Sequence, residues 1–298
     1  MMQPFISVII PYRPNDDISN PKKSFEEVDY PKNKKEIIFI KGNNPSQQRN
    51  KAIKKAKGNI LVFVDEDSSF SKNYFSKILK LINKYPNTEI FGGPVLLKEN
   101  SSVFEKAVQN LMSNFIFSAY AYKRYKSSGK NKKTFGTELI LCNMIIKKKT
   151  FEKIGYFNEQ IYPQEEIELL ERAKLKQIRM IRSPTLLIKK PQRKNIYEFS
   201  QMLFSYGKMR AKIKKKVHFN IINILPSIFL IYFLVALIIH KFLIFTPLII
   251  YFVLTILGHI KNIKKPTQYF LQIILQLLGH LFYGLGFLTG LFHFNFGK

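Results

Sequence analysis

The hydrophobic pattern of the first two-thirds of the chain alternates between short apolar runs and amphipathic segments. Four apolar, β-branched runs bounded by proline, glycine or charged residues predict buried strands at residues 5–12, 35–42, 59–64 and 89–97. Amphipathic segments predict helices from Ser46 to Gly58 and from Ser71 to Lys84. Strands that alternate with helices predict an α/β domain whose mostly parallel sheet is covered by helices on both faces.

The first predicted helix carries a cation near its start. Ser46 is expected to cap this helix after Pro45, which places Arg49 in the first turn. A cation there opposes the helix dipole by about 0.3–1 kcal/mol. A bound anion would reverse that effect, because helix N-termini are favourable phosphate sites. A solvated arginine without a role also fits this pattern.

The last third of the chain consists mainly of long apolar runs, at about 219–239, 242–258 and 269–292. Roughly 20 predominantly apolar residues cross a bilayer core, so three membrane spans are expected. Three buried helices of a soluble domain are the alternative, but each would lack a polar face. The third run could also re-enter the bilayer rather than cross it. Four glycines in this run predict close helix packing: Gly279, Gly284, Gly286 and Gly290.

Basic residues flank these runs unevenly. Before the first run they are Lys208, Arg210, Lys212, Lys214, Lys215 and Lys216, and between the second and third they are Lys261, Lys264 and Lys265. The first connection holds only His240-Lys241. The positive-inside rule therefore predicts a multi-pass protein of the cell (inner or plasma) membrane, with the N-terminal domain on the cytoplasmic face. The basic cluster before the first run is expected to bind anionic lipids of the bilayer.

The segment 195–218 joins the predicted domain to the apolar region. Its spacing predicts a helix with one apolar face, formed by Ile196, Phe199, Leu203 and Tyr206. Such a helix can lie on a membrane surface or pack in a protein core. The basic run that follows favours the membrane surface.

Charge and residue usage narrow the chemistry. The 298 residues include 48 Lys and Arg against 20 Asp and Glu, a net charge of +28, which suggests an anionic partner, although an AT-rich genome would produce the same excess. All five histidines lie in the last third, so a histidine base or a histidine-ligated zinc is excluded from the first two-thirds. The single cysteine, Cys142, excludes an intramolecular disulfide. The first ten residues lack the basic region and the cleavage site of a signal peptide.

Two aspartates follow the third predicted strand, in the stretch "GNILVFVDEDSSF". Asp65 and Asp67 would point the same way in an extended segment, beside the end of the first strand at Pro11-Tyr12-Arg13. Two carboxylates without nearby histidine or cysteine suit Mg²⁺ or Mn²⁺ that bridges a diphosphate. A solvated turn, in which an aspartate caps the next helix, fits the tripeptide alone.

Several motifs in order now form a recognisable set. The stretches "SVIIPY", "PSQQRNKAIKKAKGNILVFVDED", "FGGPVLL" and "LILCNMIIKKKTFEKIGYFNEQIYPQEEIELLERAKLKQ" together resemble family 2 glycosyltransferases. The resemblance covers roughly residues 5–210. It implies a GT-A fold, which is Rossmann-like with a mixed, mostly parallel sheet. It also implies inverting transfer of a sugar from a nucleotide donor, usually with a divalent metal.

The resemblance also implies roles for individual residues. For the donor and its nucleotide they are Pro11, Tyr12, Arg13, Arg49, Asp65, Gly92 and Gly93, the two glycines allowing the backbone to approach the donor sugar. The metal would lie on Asp67 and Asp65. Glu166 would be the catalytic base with Glu165 beside it, and Asn143 and Arg172 would lie on the acceptor side. A surface helix with a Glu168–Arg172 pair, worth about 0.3–0.5 kcal/mol, is the alternative for the last motif.

The sequence departs from the family pattern at four points. The resemblance implies a UDP-sugar as donor, but Lys41-Gly42 stands where an aspartate usually binds the base, which weakens the expectation of uridine. Glu166 replaces the expected aspartate, and Lys189-Lys190 falls where relatives often have a histidine. The Q-x-x-R-W motif of processive synthases is excluded because the chain has no tryptophan, so a non-processive enzyme is expected.

These observations predict three regions: a GT-A domain at 1–194, an amphipathic, basic juxtamembrane helix at 195–218 and a transmembrane region at 219–298. The predicted function is metal-dependent transfer from a nucleotide sugar to a glycan or lipid-linked acceptor, as in the synthesis of cell-envelope polysaccharides. The alternative is a catalytically degenerate, membrane-anchored scaffold that binds nucleotide sugars. A nucleic-acid binder is disfavoured, because the basic residues cluster at the membrane instead of alternating with aromatic residues.

Overall fold

The computed structural model describes residues 3–213, 217, 220–239, 241–260 and 264–292. The chain divides into two compact units. Unit 1 runs up to Glu99 and from Tyr120 to Pro191, and unit 2 comprises Asn100–Ala119 and the chain from Gln192 onward. The region boundaries at 194 and 218 stay predictions, and the structure adds that the segment 100–119 groups with the C-terminal part.

The described residues form ten strands and eleven α-helices. The strands are β1 (Ile6–Tyr12), β2 (Lys35–Lys41), β3 (Ile60–Val64), β4 (Ser69–Phe70), β5 (Ile90–Gly92), β6 (Val95–Leu96), β7 (Lys132–Lys133), β8 (Asn143–Lys147), β9 (Met180–Arg182) and β10 (Ile188–Lys189). The helices are α1 (Ser19–Glu27), α2 (Pro45–Lys55), α3 (Tyr74–Lys84), α4 (Val103–Met112), α5 (Phe115–Ser118), α6 (Thr150–Ile154), α7 (Glu165–Leu175), α8 (Ile196–Lys212), α9 (Leu225–Ile239), α10 (Phe242–Gly258) and α11 (Pro266–Phe292).

Unit 1 is built on a seven-stranded mixed sheet with the order β2-β1-β3-β8-β5-β9-β7. Strands β1, β2 and β3 are parallel, and β8 lies antiparallel between β3 and β5. A second, three-stranded sheet has the order β4-β10-β6. The predicted mixed, mostly parallel sheet is confirmed, and the carboxyl ends of β1, β2 and β3 lie at one edge.

The core of unit 1 lies on both faces of the large sheet. Ile9 and Phe63 face a cluster that includes Ile53 of α2, whereas the neighbouring Val62 faces the cluster that includes Phe75 of α3. The strands are buried on both faces, which explains why they appear in the sequence as continuous apolar runs. The expectation of helices on both faces is therefore confirmed.

One predicted strand is divided in two. The run 89–97 forms β5 and β6, with Gly93-Pro94 between them. A Cβ atom on Gly93 would lie 1.8 Å from the backbone oxygen of Leu186. The chain therefore passes too close to Leu186 for any side chain at this position, and Pro94 has no N–H for a strand ladder.

Helix α2 begins differently from the prediction. Its N-cap is Asn44, whose side chain accepts a hydrogen bond from the backbone N–H of Gln47, and Pro45 takes the first helical position. Ser46 is buried, and its hydroxyl donates to the carbonyl of Ile161 at 3.0 Å. The prediction that Ser46 caps the helix is wrong. Arg49 is the fifth helical residue, beyond the first turn, so the helix dipole does not explain its presence.

In unit 2, helices α8 and α11 pack at backbone-to-backbone distance. A Cβ on Gly286 would lie 2.0 Å from the oxygen of Phe204, and one on Gly290 would lie 2.3 Å from that of Lys208. On α8, a Cβ on Gly207 would lie 2.1 Å from the oxygen of Tyr283. The predicted close packing at the glycines of the third apolar run is confirmed. The same contacts favour the core alternative for the helix in segment 195–218 over the membrane-surface one.

One helix of the described residues, Pro266–Phe292, is long and apolar enough to cross a membrane by length and composition. Helices α9 and α10 have 15 and 17 residues. At about 1.5 Å per residue they are shorter than the roughly 30 Å bilayer core. Of the predicted features, the start of the first run and several flanking basic positions lie outside the described residues: His218, Phe219, Lys214, Lys215, Lys216, His240 and Lys261.

Candidate active site

The two aspartates of the opening motif lie at the carboxyl end of β3. Residues 65–68 form a turn in which the backbone N–H of Ser68 donates to the oxygen of Asp65 at 3.2 Å. The expectation of an extended segment is therefore wrong. The carboxylates of Asp65 and Asp67 nevertheless lie close together: both contact the ammonium of Lys190, at 2.8 and 3.3 Å.

Lys190 reaches the aspartates from the end of β10. Its backbone N–H donates to the oxygen of Leu96 at 3.0 Å, which fixes the main chain beside β6. Burial opposes the charge of the ammonium, but Asp65 and Asp67 outweigh it and hold the pKa of Lys190 well above its ordinary value. Burial would also raise the pKa of Asp65, but Lys190 and Arg49 hold it below its ordinary value. Glu66, between the aspartates, has its pKa raised to about 7 by burial and by the two neighbouring carboxylates.

Arg49 joins this cluster to the start of α7. One guanidinium nitrogen lies 2.5 Å from Glu165 Oε1 and another lies 3.5 Å from Asp65 Oδ1. The side chains of Arg49 and Glu165 are 6% and 5% exposed. The pKa of Glu165 is raised to about 7. Burial is the largest cause and the adjacent Glu166 adds to it, whereas Arg49 acts in the opposite direction. These charges are buried, and they depend on each other for compensation.

Hydrogen bonds from α2 hold the turn that precedes α7. The side chains of Asn44 and Ser46 donate to the backbone oxygens of Glu159 and Ile161, at 2.9 and 3.0 Å. Asn50 donates to the oxygen of Phe157 at 2.9 Å and accepts from its N–H at 3.0 Å. The motif "IGYFNE" is thereby fixed on α2, which sets the position of Glu165.

Glu166, the predicted base, has a cationic partner that the sequence did not indicate. Arg124 lies 3.2 Å from Glu166 Oε1, and the two side chains are 13% and 10% exposed. The segment that contains Arg124 is held by buried Arg182, which donates to the backbone oxygens of Lys123 and Lys126. Both Glu165 and Glu166 lie in the first turn of α7, where the helix dipole favours carboxylates.

The predicted nucleotide residues lie at the ends of β1 and β2. Pro11 is buried, Tyr12 is partly buried and contacts Phe39 edge-to-face, and Arg13 is exposed. Gln48 of α2, which the prediction missed, is buried and donates to the backbone oxygens of Tyr12 and Ile40. This amide ties the two strand ends together at the same edge as Asp65.

Three other predicted residues have structural contacts. Asn143 is fully buried, accepts from the hydroxyl of Tyr74 and donates to the backbone oxygens of Pro94 and Leu186 at 2.8 and 2.9 Å. Arg172 pairs with Glu168 at 2.7 Å, as the surface-helix alternative expected. It also donates to the backbone oxygens of Ile154 and Tyr156. The acceptor-side roles of Asn143 and Arg172 stay predictions.

The glycines are explained by packing. Gly93 is required by the approach of Leu186, and a Cβ on Gly92 would lie 3.0 Å from the backbone oxygen of Asn143. Approach of the donor sugar is therefore not needed to account for either glycine. Their donor-side role stays a prediction.

The side chains of this site supply only some of the ligands that a small divalent cation needs. Asp65 and Asp67 supply hard carboxylate oxygens, and Mg²⁺ in proteins often has one or two carboxylates plus water and substrate phosphates. Within the described residues, no group of three or more histidine, cysteine, aspartate or glutamate side chains surrounds a metal position. The pair therefore fits a cation whose other ligands come from a bound diphosphate and water.

The sequence profile of the family described as "Glycosyltransferase like family 2" matches residues 8–220, more than two-thirds of the chain. The chain belongs to this family. It is an enzyme of the nucleotide-sugar glycosyltransferase class, and its unit 1 has the GT-A fold that the motifs predicted. No curated protein sequence matches this glycosyltransferase.

Two solved structures illustrate the likeness. The mannosyltransferase PcManGT from Pyrobaculum calidifontis, in complex with GDP-Man and Mn²⁺, has a TM-score of 0.61 at 13% identity, over 98% of this chain and 88% of that one. TarS residues 1–349 from S. aureus, in complex with UDP-GlcNAc, has a TM-score of 0.47 at 13% identity, over 72% of this chain and 68% of that one. At these identities the likeness to PcManGT concerns the fold.

Replacing Arg49 with methionine tests the buried charge cluster. The change leaves Glu165 buried without its cation, so we expect a loss of about 3–5 kcal/mol in the free energy of unfolding. The loss should be greater at pH 8 than at pH 5. Arg49 lowers the pKa of Glu165, so its removal raises this pKa further above the ordinary value of 4.5. A carboxyl with a raised folded pKa is protonated at low pH and needs no cation, but it destabilises the fold as the pH rises towards and through the folded pKa. Chemical unfolding of the full chain in detergent at both pH values measures the effect.

Two further variants serve as controls for this experiment. Lys51→Met removes an exposed cation from the same helix and should leave stability within about 0.5 kcal/mol. The double variant Arg49→Met/Glu165→Gln should recover most of the loss, because neither charge is then left alone. A single Arg49→Met variant as stable as wild type would mean that the pair does not organise the site.

Proposed function

We propose that this glycosyltransferase is an inverting, metal-dependent, non-processive enzyme that transfers a sugar from a nucleotide sugar to a hydroxyl of a glycan or lipid-linked acceptor. A UDP-sugar is the first donor to test. The observation that carries the proposal is the convergence of Asp65, Asp67, Arg49 and Glu165 at the carboxyl edge of the sheet, where α/β proteins bind ligands.

On the donor side, the charges suit a nucleoside diphosphate. Asp65 and Asp67 would hold a divalent cation, Mg²⁺ or Mn²⁺, through their carboxylates. When bound, it would supply positive charge for the departing diphosphate. Arg49 contributes a second positive charge beside Asp65, and Tyr12 and Arg13 line the nucleotide end of the site.

On the acceptor side, Glu166 acts as the general base. Its carboxylate takes the proton of the acceptor hydroxyl while that oxygen forms a bond to the anomeric carbon. The bond from this carbon to the diphosphate oxygen breaks on the opposite face, which inverts the configuration. Arg124, 3.2 Å away, orients the carboxylate, and Glu165 holds the start of α7 on Arg49.

Unit 2 anchors the enzyme in a membrane. In addition to the long apolar helix α11, the shorter helices α9 and α10 expose large apolar side chains, among them Ile238, Leu243 and Ile250. Exposed apolar faces of this kind need lipid or another apolar partner. With the asymmetry of flanking lysines, this supports a multi-pass protein whose catalytic domain faces the cytoplasm, where nucleotide sugars are supplied, and whose basic cluster contacts anionic lipids.

Donor binding should depend on both the metal and Asp67. A diphosphate that faces two unshielded carboxylates is repelled, so UDP should bind at least about tenfold more tightly with Mn²⁺ than without it. Asp67→Asn should remove this difference. Calorimetric titration of the full-length protein measures both affinities, and equal UDP affinity with and without Mn²⁺ in the wild type would contradict the metal site.

Removal of the catalytic base should lower turnover without weakening donor binding. Glu166→Gln keeps the size of the side chain and removes the proton acceptor, so kcat should fall about 10²-fold or more while UDP affinity is kept. Glu166→Asp should stay active. Glu165→Gln should lower turnover less. If Glu166→Gln turns over normally and Glu165→Gln is folded and binds UDP with wild-type affinity but is inactive, the base is Glu165. A wild type that binds the donor but never releases a nucleoside diphosphate would favour the scaffold alternative.

The proposed orientation of the protein in the membrane can be tested by cysteine labelling. In a Cys142→Ser background, a cysteine at Lys241 should react with an impermeant thiol reagent in intact cells, and one at Lys264 should not. If only Lys264→Cys is labelled, the topology is the opposite of the proposed one, and the site is separated from cytoplasmic nucleotide sugars.

A further inference from the structure

Among the described residues, Lys190 is the one cation that contacts both Asp65 and Asp67 of the turn 65–68, which we call the acidic turn. Its ammonium lies 2.8 Å from Asp65 Oδ2 and 3.3 Å from Asp67 Oδ1, although Lys190 and Asp65 are 125 residues apart in the chain. Neither the family motifs nor the proposed mechanism gives this lysine a role. The neighbouring Lys189 pairs instead with exposed Glu99, at 2.6 Å.

The position of this ammonium conflicts with simple metal binding. A divalent cation shared by Asp65 and Asp67 would come within a few ångströms of Lys190 Nζ. Positive charges at that distance repel strongly in a partly buried site. A metal can therefore take the carboxylate pair only if the ammonium moves away or if new negative charge enters with it.

The backbone of Lys190 is fixed, and only its long side chain would have to change conformation for the ammonium to leave the carboxylates. The N–H bond to Leu96 holds the main chain at the end of β10. The side chain is 23% exposed, and lysine carries its charge on a flexible four-carbon stem. A nucleoside diphosphate bound to the same metal would bring phosphate oxygens next to Asp65 and Asp67, within reach of the Lys190 ammonium.

We infer that Lys190 is a donor-site residue that makes metal binding depend on donor binding. In the free enzyme its ammonium neutralises Asp65 and Asp67 and keeps the divalent cation out. When the nucleotide sugar and the cation enter together, the ammonium transfers from the carboxylates to the diphosphate, where it adds a positive charge on the leaving group. This inference rests on the proposed donor site and assigns a residue to it.

The test measures how strongly UDP and Mn²⁺ promote each other's binding. Free Mn²⁺ is followed by electron paramagnetic resonance during titration of the full-length protein in detergent, without UDP and with saturating UDP. The ratio of the two Mn²⁺ dissociation constants is the coupling factor, which by linkage is the same for either ligand. For wild type we expect a factor of about 100, within the usual range of site-to-site coupling.

Lys190→Met should change this factor in a defined way. Mn²⁺ alone should bind more tightly than to wild type, because its competitor is gone, and UDP with Mn²⁺ should bind more weakly. The coupling factor should fall about tenfold or more. Lys189→Met is the matched control and should keep the wild-type factor. Lys190→Arg keeps the charge and should keep most of the coupling.

A coupling factor in Lys190→Met equal to that of wild type would overturn the inference and leave Lys190 as a structural ion pair. Lys190→Gln, which can still hydrogen-bond the carboxylates, repeats the test if the methionine variant unfolds, and it should also lose coupling. Failure of the proposed function is a different result, because the wild type would then bind no UDP at all. Tight Mn²⁺ binding to wild type without UDP, unchanged by Lys190→Met, would equally overturn the inference.

Discussion

The buried ion pair between Arg49 and Glu165 is the interaction on which the site depends. It joins α2 to the start of α7 across 116 residues of sequence, at 2.5 Å, with both side chains almost fully buried. Buried charges are stable only when they are paired and hydrogen-bonded. The pair therefore fixes where α7 begins, and with it the position of Glu166.

The same constraint extends to the acidic turn. Asp65 contacts both Arg49 and Lys190, so the carboxyl end of β3 is linked to α2 on one side and to the end of β10 on the other. Strand β10 belongs to the small sheet, and the backbone of Lys190, directly after this strand, is bonded to Leu96 beside β6. The proposed donor side is thus arranged by a few charges, whereas the two hydrophobic clusters on the faces of the sheet position the strands that carry them.

The sequence predicted what depends on local pattern and missed what depends on distant contacts. Buried strands such as β1 and β3 were predictable, because continuous apolar runs mark strands covered on both faces. The division at Gly93 was not, since it results from the approach of Leu186, more than ninety residues later in the chain. Likewise, Asn44 caps α2, whereas Ser46 lies inside the helix and its hydroxyl donates to the distant carbonyl of Ile161.

The candidate site follows the same division. Its motif residues could be named from their order in the chain, but their partners could not. Lys190 was visible only as a departure from the family pattern, and Arg124 lies in a segment without a motif. In unit 2, hydropathy predicted the apolar helices and the glycine packing on α11, but the lengths of α9 and α10 required the structure.

The central claim is that unit 1 binds a nucleotide sugar through this charged cluster. Its most direct test is the thermal unfolding midpoint of the full-length protein with a panel of UDP- and GDP-sugars and Mn²⁺. At a concentration of 100 times its dissociation constant, the correct donor should stabilise the protein by about 2.7 kcal/mol. One member of the panel is expected to raise the midpoint by several degrees, well beyond its free nucleoside and free sugar. If no nucleotide sugar shifts the midpoint more than those fragments do, the cluster is not a donor site.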